Sequence, residues 1–448
     1  MPHELLDRAR ALAGAWLDAL PDRHVGPAAD DAALRAALDR PLTDAGEDPA
    51  TVLEDLARDV EPGLVASGGP RYHGFVIGGA LPVAMAADWL VSAYDQPAVL
   101  HASSPGMAVL EDIAGTWALD VLRLPAGSGV GFVTGAQMAN ATCLATARNA
   151  VLAREGWDAR ADGLSGAPAV EVLVGDEVHV TVGRALGLIG MGERRVTRVA
   201  VDAGGAMDPA ALARALDAGS GPSIVCAQAG NVNTGACDPL AAIADACAAR
   251  GAWLHVDGAF GLWAASAPEL AHLVAGHDRA DSWAVDCHKW LNVPYDSALA
   301  IVRDAAAQAR AMGMTAAYLA GSDEREPNAF VPESSRRARA VPVYAALRTL
   351  GRDGVAALVD RCCAQARLMA RLLAEGGVEV LNDVVLNQVL AGFGDARGVV
   401  ARVQADGTCW LGGTTWRGRD AMRISFSNWS TTDDDVRASA AAILRAAR

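Results

Sequence analysis

The sequence predicts an α/β protein: a mostly parallel central sheet covered on both faces by helices, with a helical segment before it and a small α+β unit after it. Three observations carry this. From Gly129 onward, short apolar runs alternate with longer stretches of helical spacing. Each apolar run is of strand length and stops abruptly at polar residues. Ahead of them lie helical patterns alone, and behind them helix and strand patterns mix.

Residues 4–20 carry Leu5, Leu6, Ala9, Leu12, Trp16 and Leu20 at helical spacing. Residues 30–38 and 50–60 repeat the pattern, with Asp44 and Pro49 as start signals for the later helix. These helices read as an N-terminal appendage, residues 1–75. The stretch GGPRYHGFVIGGALP, residues 68–82, holds too much glycine for a regular element and marks a close passage of backbone. Tyr72 and Phe75 within it serve packing or a pocket.

A large domain, residues 76–315, follows. Strands are expected at 131–134, 169–174, 196–201, 223–227, 253–256, 282–285 and 298–302, with helices at 137–155, 179–188, 208–218 and 240–250. Gly127, Gly129 and Gly131 read as loop glycines ahead of the first strand. Beyond it, a small domain is expected over residues 316–448. Residues 321–339 read as a charged loop, 342–374 as a helix, 378–389, 398–405 and 421–427 as strands, and 433–445 as a closing helix.

A net charge of −15 argues against nucleic acid or an anionic membrane as partner. The N-terminus has no apolar core of signal-peptide length, and no uncharged stretch is long enough to span a bilayer, so the expected location is cytoplasmic. The eight cysteines form no CxxC pair, which leaves buried free thiols as their reading.

One position stands apart. The chain has a single lysine, Lys289, and every other permanent side-chain cation is arginine. A coding bias toward arginine explains the rest but spares this site, where arginine could not do the same chemistry. An arginine is always charged and forms no imine, whereas a desolvated lysine can become a nucleophile. Lys289 follows the strand at 282–285 in AVDCHKW, and Asp257 follows the preceding strand in WLHVDGAF. An ion pair is the plain reading of two such residues. Pyridoxal phosphate, however, needs this pair: a lysine to hold its aldehyde as an imine, and a carboxylate to keep the ring nitrogen protonated. Gly258 and Ala259 leave room for a flat ring. The turn Thr134-Gly135-Ala136-Gln137 joins a strand to a long helix and offers backbone N–H groups to a phosphate. His179 opens a helix and either caps it or stacks on the cofactor. Asn233 and Thr234 follow another strand at the same edge. His255 and Asp257 share one strand face with no third ligand, so no metal is expected.

The segments VTGAQMANATCLATARN, GDEVH, GNVNTGACDPL, LHVDGAFG and DCHKWLNVPYD, in that order, resemble the group II pyridoxal-phosphate-dependent decarboxylases, the family of aromatic-amino-acid decarboxylase on the fold-type-I aminotransferase scaffold. HGFVIGGALP and SSPGMAVLE extend the likeness over most of the chain. The resemblance implies that Lys289 is the imine lysine, Asp257 the partner of the ring nitrogen and His179 the stacking base. It also implies phosphate binding by Gly135, Ala136 and Gln137 with Asp286 and His288 alongside, Asn233 near the cofactor, and Ala259 against the ring. Phe75, Pro97 and Val99 match the substrate pocket, the latter two contributed across the interface of a homodimer with shared active sites. The implied reaction is decarboxylation of an L-amino acid to an amine.

One departure bears on the product. The family's mobile loop supplies a tyrosine that protonates Cα, but residues 321–339 contain only Phe330 as an aromatic, placed with the pocket set. Tyr318 and Tyr344 lie outside that spacing, which leaves Glu333, His179 or a tyrosine of a neighbouring subunit as proton donors. An oxygen-dependent aldehyde-forming route is therefore the rival, followed by an aminotransferase or a C–S lyase. The apolar pocket set favours an aromatic or aliphatic amino acid over glutamate. Arg423, in MRISFSNW, reaches a carboxylate, a phosphate or packing neighbours only. His73 and His101 read as satisfied or surface histidines.

Overall fold

The structure, a computed structural model, describes residues 2–314 and 324–448. Tyr318 and the first three residues of the 321–339 loop lie outside them.

Helices α1 (Pro2–Ala19), α2 (Asp31–Leu38) and α3 (Pro49–Val60) open the chain. Asp48, rather than Asp44, caps α3 by accepting the amide of Thr51. Two helices that the alternation did not anticipate follow: α4 (Pro82–Tyr94) and α5 (Pro105–Val121). Both start on proline, whose fixed φ suits the first helical turn.

Seven strands form the central sheet: β1 (Gly129–Val133), β2 (Glu171–Gly175), β3 (Thr197–Val199), β4 (Ser223–Gln228), β5 (Trp253–Asp257), β6 (Ser282–Asp286) and β7 (Ala298–Val302). Their order is β1-β7-β6-β5-β4-β2-β3. Pairing is parallel from β3 through β6, and β7 runs antiparallel to both β6 and β1. It follows that β1 points the same way as β6, so the C-terminal ends of β1, β4, β5 and β6 share one edge. All residues of β1, β5, β6 and β7 are buried, which explains continuous apolar runs in place of alternation. Helix α6 (Ala136–Arg154) crosses one face, burying Ala139, Leu144, Ala147 and Val151 with Ala284, Ala298 and Ala300. Small side chains on both surfaces let helix and sheet approach closely. Helices α7 (Val180–Leu188), α8 (Pro209–Ala218), α9 (Leu240–Arg250) and α10 (Ala305–Met312) complete this part.

Gly129 and Gly131 lie inside β1, not in the loop expected for them. A Cβ at Gly131 would stand 2.1 Å from the carbonyl oxygen of Phe330, so the later segment packs directly on the strand's backbone.

Helix α11 (Ala340–Glu375) leads to a second sheet of β8 (Glu379–Val380), β9 (Gln388–Gly392), β10 (Gly412–Trp416) and β11 (Arg419–Ser425), antiparallel in the order β10-β11-β9-β8. Residues 398–405, expected as a strand, belong to helix α12 (Ala396–Asp406). Val399, Val400 and Val403 are buried on one helical face, and Asp395 caps the start. Burial at helical spacing overrode the β-branched preference for strand. Helix α13 (Asp433–Ala446) closes the chain behind a Thr432–Asp435 capping box.

The glycine-rich stretch around Gly78 lies over the lysine turn. A Cβ at Gly78 would come 2.0 Å from the carbonyl oxygen of Lys289. Among the described residues no helix is long and apolar enough to cross a membrane.

Candidate active site

Strand β6 ends at Asp286, and the turn after it brings Lys289 back over the strand end. Lys289 Nζ lies 2.8 Å from Asp286 Oδ2. The other oxygen, Oδ1, accepts the amide of Ala136 at 2.6 Å. One buried carboxylate thus ties the lysine to the N-terminus of α6. The amide of Ser297 donates to His288 Nδ1 at 3.3 Å, which leaves the proton of the neutral ring on Nε2, 3.5 Å from Asp286 Oδ1. Burial holds that imidazole below its usual pKa. Tyr295 stacks on it with ring centroids 4.3 Å apart.

Asp257 ends β5, the neighbouring strand. Its Oδ1 accepts the amide of Ala259 at 3.2 Å and its Oδ2 accepts Asn140 Nδ2 at 3.1 Å. Among the described residues no cation lies within ion-pairing distance of this buried group. His179 caps α7 from the loop after β2, its Nδ1 accepting the Thr181 hydroxyl at 2.7 Å and the Thr181 amide at 3.4 Å. Burial lowers its pKa, Asp257 opposes that, and Lys289 and Arg423 add to it.

Lys289, Asp286, His288, Ala136, Asp257, Ala259 and His179, all expected in the site, therefore gather at one sheet edge, with Gly135 and Gln137 beside Ala136. Others go elsewhere. The side chain of Asn233 is engaged by the Thr414 hydroxyl at 2.9 Å, at the junction with the second sheet. Phe75 is exposed and leans on Trp410, 5.3 Å between centroids. Phe330, expected in the pocket, packs instead at the start of β1, where a Cβ on Gly129 would meet its ring at 3.1 Å. Arg325 lies over that ring. This is the opposite end of β1 from Ala136, because the 327–330 turn is drawn under the strand by its glycines. Val99 accepts the amide of Asn328 and sits with that turn, and Pro97 is exposed nearby. Within one chain, these residues and Lys289 do not meet.

Sequence reasoning passed over three residues. Asn140, a buried amide in an alanine-rich helix, was signalled by its polarity alone. Tyr295 lies in the Pro-Tyr-Asp turn of the lysine motif. Asn292 accepts the amides of Gly79 and Trp429 and donates to the carbonyls of Trp290 and Ser427, pinning the lysine turn from both sides.

A lysine at the end of one strand and a carboxylate at the end of the next are parts of a pyridoxal-phosphate site, and known proteins supply the class: this is a pyridoxal-phosphate-dependent carboxy-lyase. Residues 32–390 match the family model described as the pyridoxal-dependent decarboxylase conserved domain, and the chain belongs to that family. It is 30% identical over 341 residues to an aromatic-L-amino-acid decarboxylase of Bacillus atrophaeus, covering 74% of this chain and 69% of the relative. It is 30% identical over 425 residues to an L-2,4-diaminobutyrate decarboxylase of Rhizobium meliloti, covering 90% and 83%. The fold matches a crystal structure of Oryza sativa TDC with PLP and tryptamine at a TM-score of 0.92 and 23% identity, over 99% of this chain and 97% of the other.

The residues present fit the cofactor. Asp257 is a buried carboxylate that only neutral donors touch, which suits a protonated ring nitrogen. Helix geometry leaves the first amides of α6 without intrahelical acceptors; Asp286 takes that of Ala136, and the next ones suit a phosphate. Lys289 Nζ is held by Asp286, which also accepts the first amide of that helix.

Proposed function

We propose that the chain decarboxylates an L-amino acid to the corresponding amine, with Lys289 as the amine that holds the cofactor's aldehyde. The observation that carries this is the pairing of the only lysine with Asp286 at the end of β6, beside an uncompensated Asp257 at the end of β5. When bound, pyridoxal phosphate supplies a ring that takes up the electron pair left behind as the carboxylate departs.

The protein's own groups set the geometry. Asp257 would face the ring nitrogen. Gly135, Ala136 and Gln137 would frame the phosphate at the start of α6, with His288 and Asp286, which already takes the Ala136 amide, beside it. His179 would lie against the ring face; its lowered pKa keeps it neutral near pH 7, so it is a poor proton donor there. Tyr295 is a better one. It lies 59% exposed over His288, and burial of its remainder pushes the phenol up to about 12, so it holds its proton until one is needed at Cα.

Val83, Trp89, Leu90 and Tyr94 on α4, with Val109 and Ile113 on α5, are exposed large apolar residues on two helices that both pack on α11. They support a homodimer, in which Pro97 and Val99 reach the partner's site; a monomer in sedimentation would remove this part. Pro97 and Val99, brought in across that interface, favour an apolar side chain on the substrate. A panel of L-amino acids assayed for CO2, amine, aldehyde and oxygen uptake tests the whole reading. Amine and CO2 in equal amounts are expected, and aldehyde with oxygen uptake, or a keto acid without CO2, would overturn it.

A further inference from the structure

Behind Asp257 lies a file of buried polar groups that the reaction as described does not use. Trp253 Nε1 donates to Ser282 Oγ at 2.9 Å, and Ser282 Oγ lies 2.9 Å from His255 Nδ1. His255 Nε2 lies 2.8 Å from Asn140 Oδ1, and Asn140 Nδ2 donates to Asp257 Oδ2 at 3.1 Å. Ser282, His255 and Asn140 are wholly buried.

Only one arrangement of protons satisfies this file. An indole N–H can only donate and an ionised carboxylate can only accept. Asn140 must therefore turn its NH2 to Asp257 and its oxygen to His255, which fixes the His255 proton on Nε2. His255 Nδ1 then accepts, so the Ser282 hydroxyl donates to it while accepting from Trp253. Every hydrogen bond points the same way, toward Asp257. Each dipole in the file favours negative charge at its end, and in a dry interior such dipoles reinforce one another. Burial holds the His255 pKa at about 4, so the ring stays neutral and the direction does not reverse near pH 7.

We infer that Ser282, His255 and Asn140 are positioning residues that hold the Asp257 carboxylate aimed at the ring nitrogen of the cofactor. Among the described residues Asp257 has no cation within ion-pairing distance, and this file takes the place of one until the ring N–H arrives. The inference rests on the reading of Asp257 given above, and a reading of the two together must separate them.

The test is the 15N chemical shift of the ring nitrogen in holoenzyme reconstituted with 15N-labelled pyridoxal phosphate, measured beside the cofactor dissociation constant. Wild type is expected to show a protonated ring nitrogen. Asn140→Leu, of similar size but unable to donate, is expected to shift the signal toward the unprotonated position and to weaken cofactor binding at least tenfold. Ser282→Ala is expected to move both in the same direction by less. An unprotonated wild-type ring overturns the role of Asp257 and the file together. A protonated wild-type ring that stays protonated and tightly bound in both variants overturns the file alone. Should Asn140→Leu fail to fold, Ser282→Ala and the wild-type histidine spectrum decide: with 15N-histidine labelling, a proton on Nδ1 of His255 contradicts the inference and one on Nε2 supports it.

Discussion

At the scale of single residues, chemistry depends on which groups are left without a partner. Asp286 is engaged by Lys289 on one oxygen and by the start of α6 on the other, so it places the lysine. Tyr295 presents a phenol on the rim with no hydroxyl bond among the described residues. Tyr295→Phe is expected to lower amine formation roughly 100-fold, the usual worth of a placed general acid, while CO2 release falls less. Quenched-flow comparison of the two products checks this, and equal loss of both would assign the proton elsewhere.

At the scale of elements, the segment after residue 324 is fixed by a buried ion cluster. Glu111 on α5 receives Arg336 on both oxygens, at 2.9 and 2.8 Å, and Arg325 at 3.4 Å. Glu111→Ala leaves Arg336 buried and unpaired, and is expected to cost roughly 3–5 kcal/mol in chemical denaturation. Loss of under about 1 kcal/mol would show that water reaches the cluster. Sequence alone gave good access to the strands that carry the site. Apart from His255 and Ser282, β5 and β6 run apolar to their last residue and then break into polar turns, so Asp257 and Lys289 were placed by pattern. The small sheet was less legible, because the valines of α12 read as strand until the helix buries them. Phe330 and Asn140 were beyond reach for another reason: each is defined by contacts with residues more than a hundred positions away, which no local pattern encodes.

At the scale of the whole molecule, stability and catalysis rest on the same buried polar groups. His73, wholly buried, meets Ser439 at 3.0 Å and leans on Phe426, and burial depresses its pKa to about 4. The unfolded ring takes a proton near pH 6.5 and the folded one only near 4, so unfolding takes up a proton in between and stability falls as pH drops through that window. His73→Asn is expected to flatten the dependence of unfolding free energy on pH there by about 1.4 kcal/mol per pH unit at most. An unchanged slope would mean that His73 titrates alike in both states. The most direct measurement of the account is borohydride reduction of the holoenzyme, then intact mass and tryptic mapping. With one lysine in the chain, one reduced cofactor per chain is expected on Lys289, and the blocked lysine keeps residues 280–303 as a single peptide. An unmodified chain with trypsin cutting after Lys289 would contradict it.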